Sequence, residues 1–295
     1  MKILVTGSSG MLGTAVIAHM AELGHQAIGI DVGSAEAATR VDISNWEALR
    51  AFPGLKGCDL VLHLAAATDV DQCEKDPDLA FRVNTLGTEF LARLCAESGA
   101  PLVYISTAAV FAGNRKGSPY TEFDDPSPIN IYAQSKWRGE QAVRQAVERH
   151  FIVRAGWMMG GGAREKKFVG KITAQLFEGK RKLLAVSDKQ GSLTYTVDFA
   201  RNLMGLVSSG HYGTYHMANH GTCTRYEVAK KIVDYLGSDT VIEPVPSSFF
   251  PLPAPRPDSE CLENYKLKLL GLDRMPPWEQ SLRHYLKTLL PALKS

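Results

Sequence analysis

Short apolar runs alternate with longer amphipathic segments through the first half of the chain. The runs at residues 3–6, 27–31, 60–63, 102–106 and 151–154 are apolar at nearly every position. Continuous apolar runs of this length are typical of parallel strands that helices cover on both faces. The pattern therefore predicts an α/β fold in which a doubly wound parallel sheet has helices on both faces.

The helix that the sequence predicts most clearly spans residues 76–98. Asp76 suits the N-cap, Pro77 suits the first helical position, and Gly99 suits the residue after the end. An apolar stripe at helical spacing lies between them and consists of Leu79, Val83, Leu86, Phe90 and Leu94. We expect this segment to form one helix that packs on the sheet.

The regular alternation becomes weaker after residue 154. Helices are expected near residues 171–178, 197–207 and 225–236, and strands near residues 183–186 and 214–217. Six prolines between residues 244 and 257 disfavour helix there and favour extended chain. The second half is therefore expected to form a smaller α/β lobe that interleaves with the first half.

Composition and charge exclude several functional classes. The 295 residues include 33 Lys and Arg against 31 Asp and Glu, a net charge of +2 without long basic runs, so an electrostatic nucleic-acid binder is not expected. Apolar stretches are too short for a membrane span, and the N-terminus lacks the pattern of a signal peptide. Five scattered cysteines and eight scattered histidines indicate neither a disulfide framework nor a metal site. We expect a cytoplasmic enzyme without a membrane or nucleic-acid partner.

The first predicted strand leads into a glycine-rich turn. Gly7 suits a tight turn, Gly10 lets backbone N–H groups approach a pyrophosphate, and Gly13 lets a helix and a strand pack closely. This placement between strand and helix is what a dinucleotide fingerprint requires, and an ordinary glycine-rich turn is the alternative. We expect a Rossmann-like unit of residues 1–155, completed by about residues 192–218. Residues 156–191 and 219–295 would form the substrate lobe.

The second predicted strand ends at Asp31, 18 residues beyond the last glycine of the turn. An acidic residue at this place normally accepts hydrogen bonds from the adenosine ribose, and a turn or cap residue is the alternative. Its charge would repel a 2′-phosphate, so NAD(H) is favoured over NADP(H), with Arg40 as the nearest residue that would reverse the preference. Asp42 is a candidate partner for the adenine amino group, and capping of a helix near Asn45 explains it equally well.

A third motif places Tyr132 and Lys136 four residues apart, on one face of a helix. A neighbouring cation lowers the pKa of a phenol from its usual value near 10, although such pairs also occur by chance. Ser106 and Thr107 end the fourth predicted strand at the carboxyl edge of the sheet, where ligands bind in open α/β sheets. A hydroxyl there can hold a carbonyl oxygen against the phenol.

With these motifs the chain resembles the extended short-chain dehydrogenase/reductase superfamily, and more closely the dTDP-4-dehydrorhamnose reductase family. The resemblance extends over nearly the whole length. The segments that carry it are residues 65–71 with Glu74 and Asn84, residues 106–113, 128–140, 154–157 and 188–196, and Arg256-Pro257 with Leu262 and Lys266.

The resemblance implies NAD(P)H-dependent reduction of the 4-keto group of a 4-keto-6-deoxy nucleotide sugar, as in dTDP-rhamnose biosynthesis. Tyr132 would protonate the C4 oxygen, Lys136 would bind the nicotinamide ribose and lower the pKa of Tyr132, and Thr107 would hydrogen-bond the carbonyl. Trp157 would form a wall of the sugar pocket, with a core aromatic as the alternative. Arg256 would pair with the diphosphate, with an ordinary surface arginine as the alternative.

The resemblance also implies a cofactor site and a partner. The cofactor residues would be Gly7, Ser9, Gly10, Met11, Leu12, Gly13, Asp31, Asp42, Ile43, Ala65, Ala66, Ala67, Ser106, Tyr132 and Lys136. Ser106 would share with Thr107 the contact to the carbonyl. The small-molecule partner would be a nucleotide sugar, and a homodimer is a possible assembly.

The chain departs from the family pattern at positions near the expected sugar. The family usually carries Asp and Tyr after the catalytic Thr, where this chain has Ala108 and Ala109, and Ser where it has Glu260. The sugar, or even the nucleotide, can therefore differ. The basic segment at residues 164–167 is a candidate for phosphate contacts, with a solvated charged run as the alternative.

Two other functions stay open as alternatives. A dehydratase or epimerase of the same superfamily is one, although Ala108 and Ala109 cannot act as the acid and base that dehydratases carry there. A non-catalytic, cofactor-binding regulatory subunit resembling the methionine adenosyltransferase β subunit is the other. The presence of Thr107, Tyr132 and Lys136 together favours catalysis.

Overall fold

A seven-stranded parallel sheet lies at the centre of the computed structural model, which describes residues 1–33, 39–115, 117–162 and 165–294. In spatial order its strands are β3 (Thr39–Arg40), β2 (Gln26–Asp31), β1 (Lys2–Thr6), β4 (Leu60–His63), β5 (Leu102–Thr107), β6 (His150–Ala155) and β11 (Gly213–His216). The strand order reverses direction between β1 and β4. Such a switch point opens a crevice at the carboxyl ends of the strands, where α/β proteins bind ligands.

Apolar side chains on both faces of the sheet explain why these segments are strands. On β1, Ile3 and Val5 pack on one face and Leu4 packs on the other, and all three are fully buried. Helices α1 (Met11–Glu22) and α8 (Thr196–Ser209) cover the first face. Helices α2 (Trp46–Ala51), α5 (Thr88–Ser98) and α6 (Ile131–Ala146) cover the second. The five strands and the doubly wound sheet expected from the sequence are confirmed.

The segment at residues 76–98 begins and ends as expected but is not one regular helix. Asp76 caps α4 (Pro77–Phe81) by accepting a hydrogen bond from the Leu79 amide, and Gly99 ends α5 with a φ of 71°. Between α4 and α5, residues Arg82–Gly87 form a π-helical segment. A π-turn contains an extra residue, which changes the direction in which its side chains leave the helix. Periodicity alone did not predict this insertion.

Small sheets and further helices form the remainder of the fold. The sheets pair β7 (Trp157–Met159) with β10 (Leu193–Tyr195), β8 (Lys182–Val186) with β13 (Val241–Val245), and β9 (Gln190–Gly191) with both β12 (Cys223–Thr224) and β14 (Ser259–Glu260). The helices are α3 (Val70–Lys75), α7 (Phe168–Phe177), α9 (Arg225–Leu236), α10 (Tyr265–Leu269) and α11 (Trp278–Lys294). The expected elements near residues 171–178, 183–186, 197–207, 214–217 and 225–236 are present. The proposed division into a cofactor unit and a substrate lobe stays a prediction.

Helix α9 shows how the local sequence sets an element in this second part. Thr224 and Glu227 form a reciprocal capping box at its start, and Gly237 ends it with a φ of 59°. Its apolar side packs in a third core with residues of α7 and α11. Within the described ranges, no helix has both the length and the hydropathy that crossing a bilayer requires.

Candidate active site

The glycine-rich turn between β1 and α1 brings three backbone segments closer together than side chains would permit. Gly7 has a φ of 67°, and a Cβ there would lie 2.7 Å from the Ala65 nitrogen. A Cβ on Gly13 would lie 2.3 Å from the Gly7 oxygen. Gly10 is exposed at the start of α1, and its amide donates to the Gly7 carbonyl. The turn therefore presents the N-terminus of α1 without intervening side chains, which is the geometry that binds a phosphate group.

Ser9, Met11 and Leu12 occupy different places around this turn. The Ser9 amide donates to Asp31 Oδ2 over 3.0 Å, and its hydroxyl is buried without a hydrogen-bond partner among the described residues. Met11 is partly exposed and lies against the loop at Gly161. Leu12 packs in the core, so that only its backbone faces the crevice. A buried, unpartnered hydroxyl beside a glycine turn fits a site that receives a polar ligand.

Asp31 lies at the carboxyl end of β2, where its carboxylate bonds the Ser9 and Gly33 amides. Arg40 is exposed on the neighbouring strand, directly opposite Asp31 in the register. A negatively charged and a positively charged residue therefore lie opposite each other on neighbouring strands at this end of the sheet.

Asp42 and Ile43 follow β3. Asp42 accepts hydrogen bonds from the amide and hydroxyl of Ser44 in a local turn, while Asn45 caps α2 through the Ala48 amide. The suggested capping role of Asp42 is therefore wrong, because Asn45 fills it. Ile43 is buried against Gly87, so its side chain belongs to the core.

The loop after β4, which contains Ala65, Ala66 and Ala67, is held from two sides. The Ala65 amide donates to Thr6 Oγ1, and the Asn84 carboxamide bonds both the amide and the carbonyl of Ala67, at 2.8 and 3.1 Å. The π-helical segment carries Asn84 to this place. Its Nδ2 also donates to Ser135 on α6, so one side chain joins the loop to the helix of the Tyr/Lys motif.

A buried histidine that the sequence motifs did not indicate connects these parts. The Thr88 hydroxyl donates to the Asn84 carbonyl, so His63 Nε2 donates to Thr88 and His63 Nδ1 accepts from Thr6. Burial, together with a smaller effect of the nearby Lys136 charge, lowers the pKa of His63 to about 3. His63 is therefore a neutral structural link beneath the crevice.

Helix α6 carries Tyr132 and Lys136 into the crevice, and residues far apart in the chain fix its first turn. Asn130 caps the helix through the Ala133 amide and donates from Nδ2 to the Pro255 carbonyl over 2.9 Å. Glu74 accepts from the Ile131 amide over 3.0 Å. The position of the phenol thus depends on contacts from distant parts of the chain.

The ionisation of the Tyr/Lys pair differs from the expectation. Burial raises the pKa of Tyr132 to about 12, although a hydrogen bond with Thr107 acts in the opposite direction. Burial also lowers the pKa of Lys136 to about 7, against the raising effect of Glu140. The ammonium lies 4.0 Å from the centroid of the Tyr104 ring. The expected lowering of the pKa of Tyr132 by Lys136 is therefore wrong for the ligand-free protein, because desolvation dominates.

Ser106 and Thr107 face different surroundings. Ser106 is buried and donates its hydroxyl to Glu140 Oε1 over 2.6 Å, so it does not share the expected contact with a carbonyl. Thr107 is partly exposed beside Tyr132, and its Oγ1 accepts from the Ala109 amide. Thr107 is therefore the hydroxyl that this strand end presents to the crevice.

Glu140 is the centre of a buried ion cluster one turn beyond Lys136. Its carboxylate accepts two hydrogen bonds from Arg154, each 2.9 Å long, one from Arg144 at 2.8 Å, and the bond from Ser106. Glu140 has no exposed surface, and Arg154 is 2% exposed. These contacts keep the pKa of Glu140 below its usual value despite burial. The charge is stable there because four donors replace water.

Trp157 is partly buried and packs against the third core. Its indole Nε1 donates to Glu260 Oε2 over 2.7 Å, and the Arg225 guanidinium lies 4.3 Å from its ring centroid. A Cβ on Gly191 would lie 2.5 Å from the same ring, so this glycine is required for the ring position. Arg225 is a cation that the sequence motifs missed, since neither its spacing nor its context marks it.

The other residues expected near the substrate are Arg256, the basic segment at residues 164–167, and the two alanines after Thr107. Arg256 donates to Asp71 Oδ1 over 2.8 Å and to the Ala254 carbonyl, and it is 27% exposed. Lys167 reaches the Thr68 carbonyl. Of the basic segment, Arg164 lies outside the described residues. The methyl groups of Ala108 and Ala109 are buried, at 1% and 5% exposure.

Removing the charge of Glu140 should destabilise the fold. Glu140→Gln leaves the buried Arg154 guanidinium without its counter-charge, and we expect the free energy of unfolding to fall by about 3–5 kcal/mol. Arg144→Met is the matched control because Arg144 is 31% exposed, so its loss should cost about 1 kcal/mol or less. Urea unfolding measures both, and a Glu140→Gln variant as stable as Arg144→Met would contradict the prediction.

Comparison with known proteins finds relatives of one family, which match nearly the whole chain. A model of the family described as RmlD substrate binding domain matches residues 1–290. The dTDP-4-dehydrorhamnose reductase of Mycobacterium tuberculosis strain H37Rv is 34% identical over 286 residues, covering 95% of this chain and 91% of the relative.

Two solved structures are similar over nearly their full length. The dTDP-4-dehydrorhamnose reductase of Clostridium acetobutylicum has a TM-score of 0.92 at 35% identity and covers 98% of this chain and 100% of its own. The dTDP-4-dehydrorhamnose reductase of Bacillus anthracis, in complex with NADP, has a TM-score of 0.90 at 34% identity. The alignment covers 97% of this chain and 98% of the relative. The expected fold and family are confirmed, and the chain belongs to the RmlD substrate binding domain family.

Proposed function

We propose that this protein reduces the 4-keto group of dTDP-4-dehydrorhamnose, or of a closely related 4-keto-6-deoxy nucleotide sugar, with NAD(P)H. Family membership and the names of the relatives confirm the expectation of a nucleotide-sugar reductase. The observation that carries the proposal is the hydrogen bond between Thr107 and Tyr132, one helical turn before Lys136. Thr107 ends β5 at the same carboxyl edge of the sheet at which β1 leads into the glycine turn. An acid, a hydroxyl donor and a dinucleotide cradle are what carbonyl reduction needs.

The residues around the turn fit a nicotinamide dinucleotide. A Cβ at Gly7 or Gly13 would fill the space of a closely approaching backbone, and the buried Ser9 hydroxyl lacks a partner within the described chain. We assign the pyrophosphate to the turn and to the N-terminus of α1, and the adenosine ribose to Asp31. When bound, the reduced nicotinamide supplies the hydride. The complex of the Bacillus anthracis relative with NADP supports this class of cofactor.

Tyr132 serves as the proton donor in this proposal. Because its pKa is about 12, the phenol carries its proton throughout the neutral range. Thr107 holds the carbonyl oxygen against the phenol, and a proton moves from Tyr132 to that oxygen as negative charge develops on it. Lys136 stabilises the resulting phenolate and binds the nicotinamide ribose. The crevice excludes water around these groups, which strengthens each interaction.

The crevice near Trp157 is suited to a sugar diphosphate. Arg225 lies on the face of Trp157, Lys167 bonds the Thr68 carbonyl, and Arg256 bonds Asp71 on α3. Besides burial, the charge of Arg256 lowers the pKa of Arg225, and that of Arg225 lowers the pKa of Lys167, so the three cations are neighbours. A local cluster of cations attracts a doubly charged ligand without a basic surface overall. The Trp157 face offers an apolar wall to the sugar ring.

The alternative functions are less well supported. Ala108 and Ala109 offer buried methyl groups where a dehydratase would need an acid and a base. A purely regulatory role would leave the contact between Thr107 and Tyr132 without a use.

Replacing the phenol tests the reductase directly. We expect wild-type protein to oxidise NADPH or NADH in the presence of dTDP-4-dehydrorhamnose, and Tyr132→Phe to lower kcat by about 10²–10⁴-fold, because a general acid contributes this much. Loss of nicotinamide absorbance measures the rate. Tyr120→Phe, in the stacked pair with Phe111, is the matched control. Tight cofactor binding without turnover of any keto sugar would favour the regulatory alternative.

The pH dependence tests the role of Lys136. Since the pKa of Lys136 is about 7, raising the pH through 7 removes its charge in the free enzyme. We expect kcat/KM for the keto sugar to fall about tenfold per pH unit above 7, because this ratio reports the free enzyme. The pKa of Lys167 is also lowered by burial, so Lys167→Met is the control that should keep the same midpoint. A profile flat to pH 9 would contradict the role.

The cofactor preference follows from Asp31 and Arg40. We propose that NAD(H) binds more tightly than NADP(H), because the Asp31 carboxylate lies where a 2′-phosphate would sit. Asp31→Ala should reverse the order, and Arg40→Ala should weaken NADPH binding while leaving NADH binding unchanged. Calorimetric Kd values for both cofactors measure this. Equal affinities in the wild type would show that Asp31 does not discriminate.

A further inference from the structure

Glu260 has a carboxylate with an incomplete set of hydrogen bonds. Its Oε2 accepts from the Trp157 indole, whereas its Oε1 has no hydrogen-bond donor among the described residues. No ion pair within 4.0 Å joins it to a described cation either, although Arg225, Arg256 and Lys189 all act on its charge from nearby. Desolvation raises the pKa of this carboxyl group. A carboxylate that has lost part of its hydration normally accepts more than one hydrogen bond.

The backbone fixes the direction of this side chain. Glu260 on β14 lies beside Gly191 on β9 in parallel register, and Gly191 underlies the ring of Trp157. The ring in turn is held by the Trp157 amide, which donates to the Ser192 carbonyl over 2.7 Å. Glu260 and Trp157 are therefore positioned by the same small sheet. The carboxylate retains accessible surface, so a ligand in the crevice can reach it.

Glu260 also lies close to the reacting group. Its partner Trp157 stands two residues after Ala155, which lies opposite Thr107 in the register of β5 and β6, and Thr107 bonds Tyr132. Besides burial, the charge of Glu260 also raises the pKa of Tyr132. In a 4-keto-6-deoxy sugar, the carbonyl carbon has two ring neighbours. C5 carries the methyl group, and C3 carries a hydroxyl. The donor nearest to a carboxylate beside the reacting carbonyl is therefore the C3 hydroxyl.

We propose that Glu260 is a specificity-determining residue that accepts a hydrogen bond from the C3 hydroxyl of the sugar through Oε1. This inference rests on the proposed function, because it uses the position of the reacting carbonyl. Ala108 and Ala109, at the end of β5, present only methyl groups and cannot supply an acceptor there. Glu260 selects sugars with a hydroxyl next to the carbonyl over 3-deoxy sugars.

A comparison of two substrates tests the contact. Wild type should prefer dTDP-4-dehydrorhamnose over its 3-deoxy analogue by about tenfold to hundredfold in kcat/KM, the value of a hydrogen bond to a charged group. Glu260→Ala should lower kcat/KM for the parent sugar by about the same factor. It should change kcat/KM for the 3-deoxy analogue by less than about threefold. This analogue lacks the C3 hydroxyl, so the substitution removes no hydrogen bond to it.

Two variants separate a direct contact from a structural role. Trp157→Phe removes the indole donor and keeps the carboxylate, so it should keep the preference for the 3-hydroxy sugar. Glu263 belongs to the same segment and pairs with Lys268 at the surface. Glu263→Gln removes this charge and should leave kcat/KM unchanged for both sugars. Glu260→Ala acting equally on both sugars, or loss of the preference in Trp157→Phe, would overturn the proposal.

Equilibrium binding distinguishes this inference from the proposed function. Calorimetry with the stable alcohols dTDP-rhamnose and 3-deoxy-dTDP-rhamnose needs no turnover. A wild type that reduces both keto sugars at equal kcat/KM overturns the role of Glu260 and leaves the reductase standing. A wild type without turnover that binds dTDP-rhamnose more tightly, with the difference lost in Glu260→Ala, overturns the reductase and supports Glu260. Absence of binding to either alcohol together with absence of turnover overturns both.

Discussion

The site depends on one fully desolvated carboxylate. Glu140 on α6 meets Arg154 on β6 and Ser106 on β5 in a space closed to water, so the helix with Tyr132 can occupy only one position over the sheet. Such a cluster is costly to desolvate and stable only when every donor is in place. The Glu140 cluster therefore stabilises the protein only in this geometry. A helix shifted along its axis would leave two charges buried without partners.

A second set of contacts fixes the same helix from the other side of Tyr104. Gly139 allows close approach, since a Cβ there would lie 2.4 Å from the Tyr104 hydroxyl and 2.6 Å from the Asn84 carbonyl. Asn84 extends the contact to the loop at Ala67 and, through Thr88, to His63 beneath the crevice. The π-helical insertion is needed for this, because it places Asn84 between the loop and α6. The loop at Ala67 and helix α6 are thus parts of one hydrogen-bonded network.

Local patterns predicted the parts of the protein that local physics decides. Apolar runs located the strands, and Asp76, Pro77 and Gly99 marked helix ends, because burial and capping act within a few residues. The π-turn and the position of Arg225 on the face of Trp157 depend on contacts across the chain. Asn45, and not Asp42, caps α2. The two residues are three positions apart, a difference that hydrophobic periodicity does not resolve. Long-range pairing leaves no spacing in the sequence by which it could be recognised.

Burial acts in opposite directions on the two groups of the Tyr/Lys motif. It raises the pKa of Tyr132 and lowers that of Lys136, since each group loses the water that stabilises its charged form. The spacing of the two residues on a helix predicts a lowered pKa for the phenol. That prediction considers only the charge of the neighbouring lysine and does not include desolvation. A phenol that keeps its proton is suited to donate it to a carbonyl oxygen. The same burial therefore keeps the resting phenol in the protonated form that donation to a carbonyl oxygen requires.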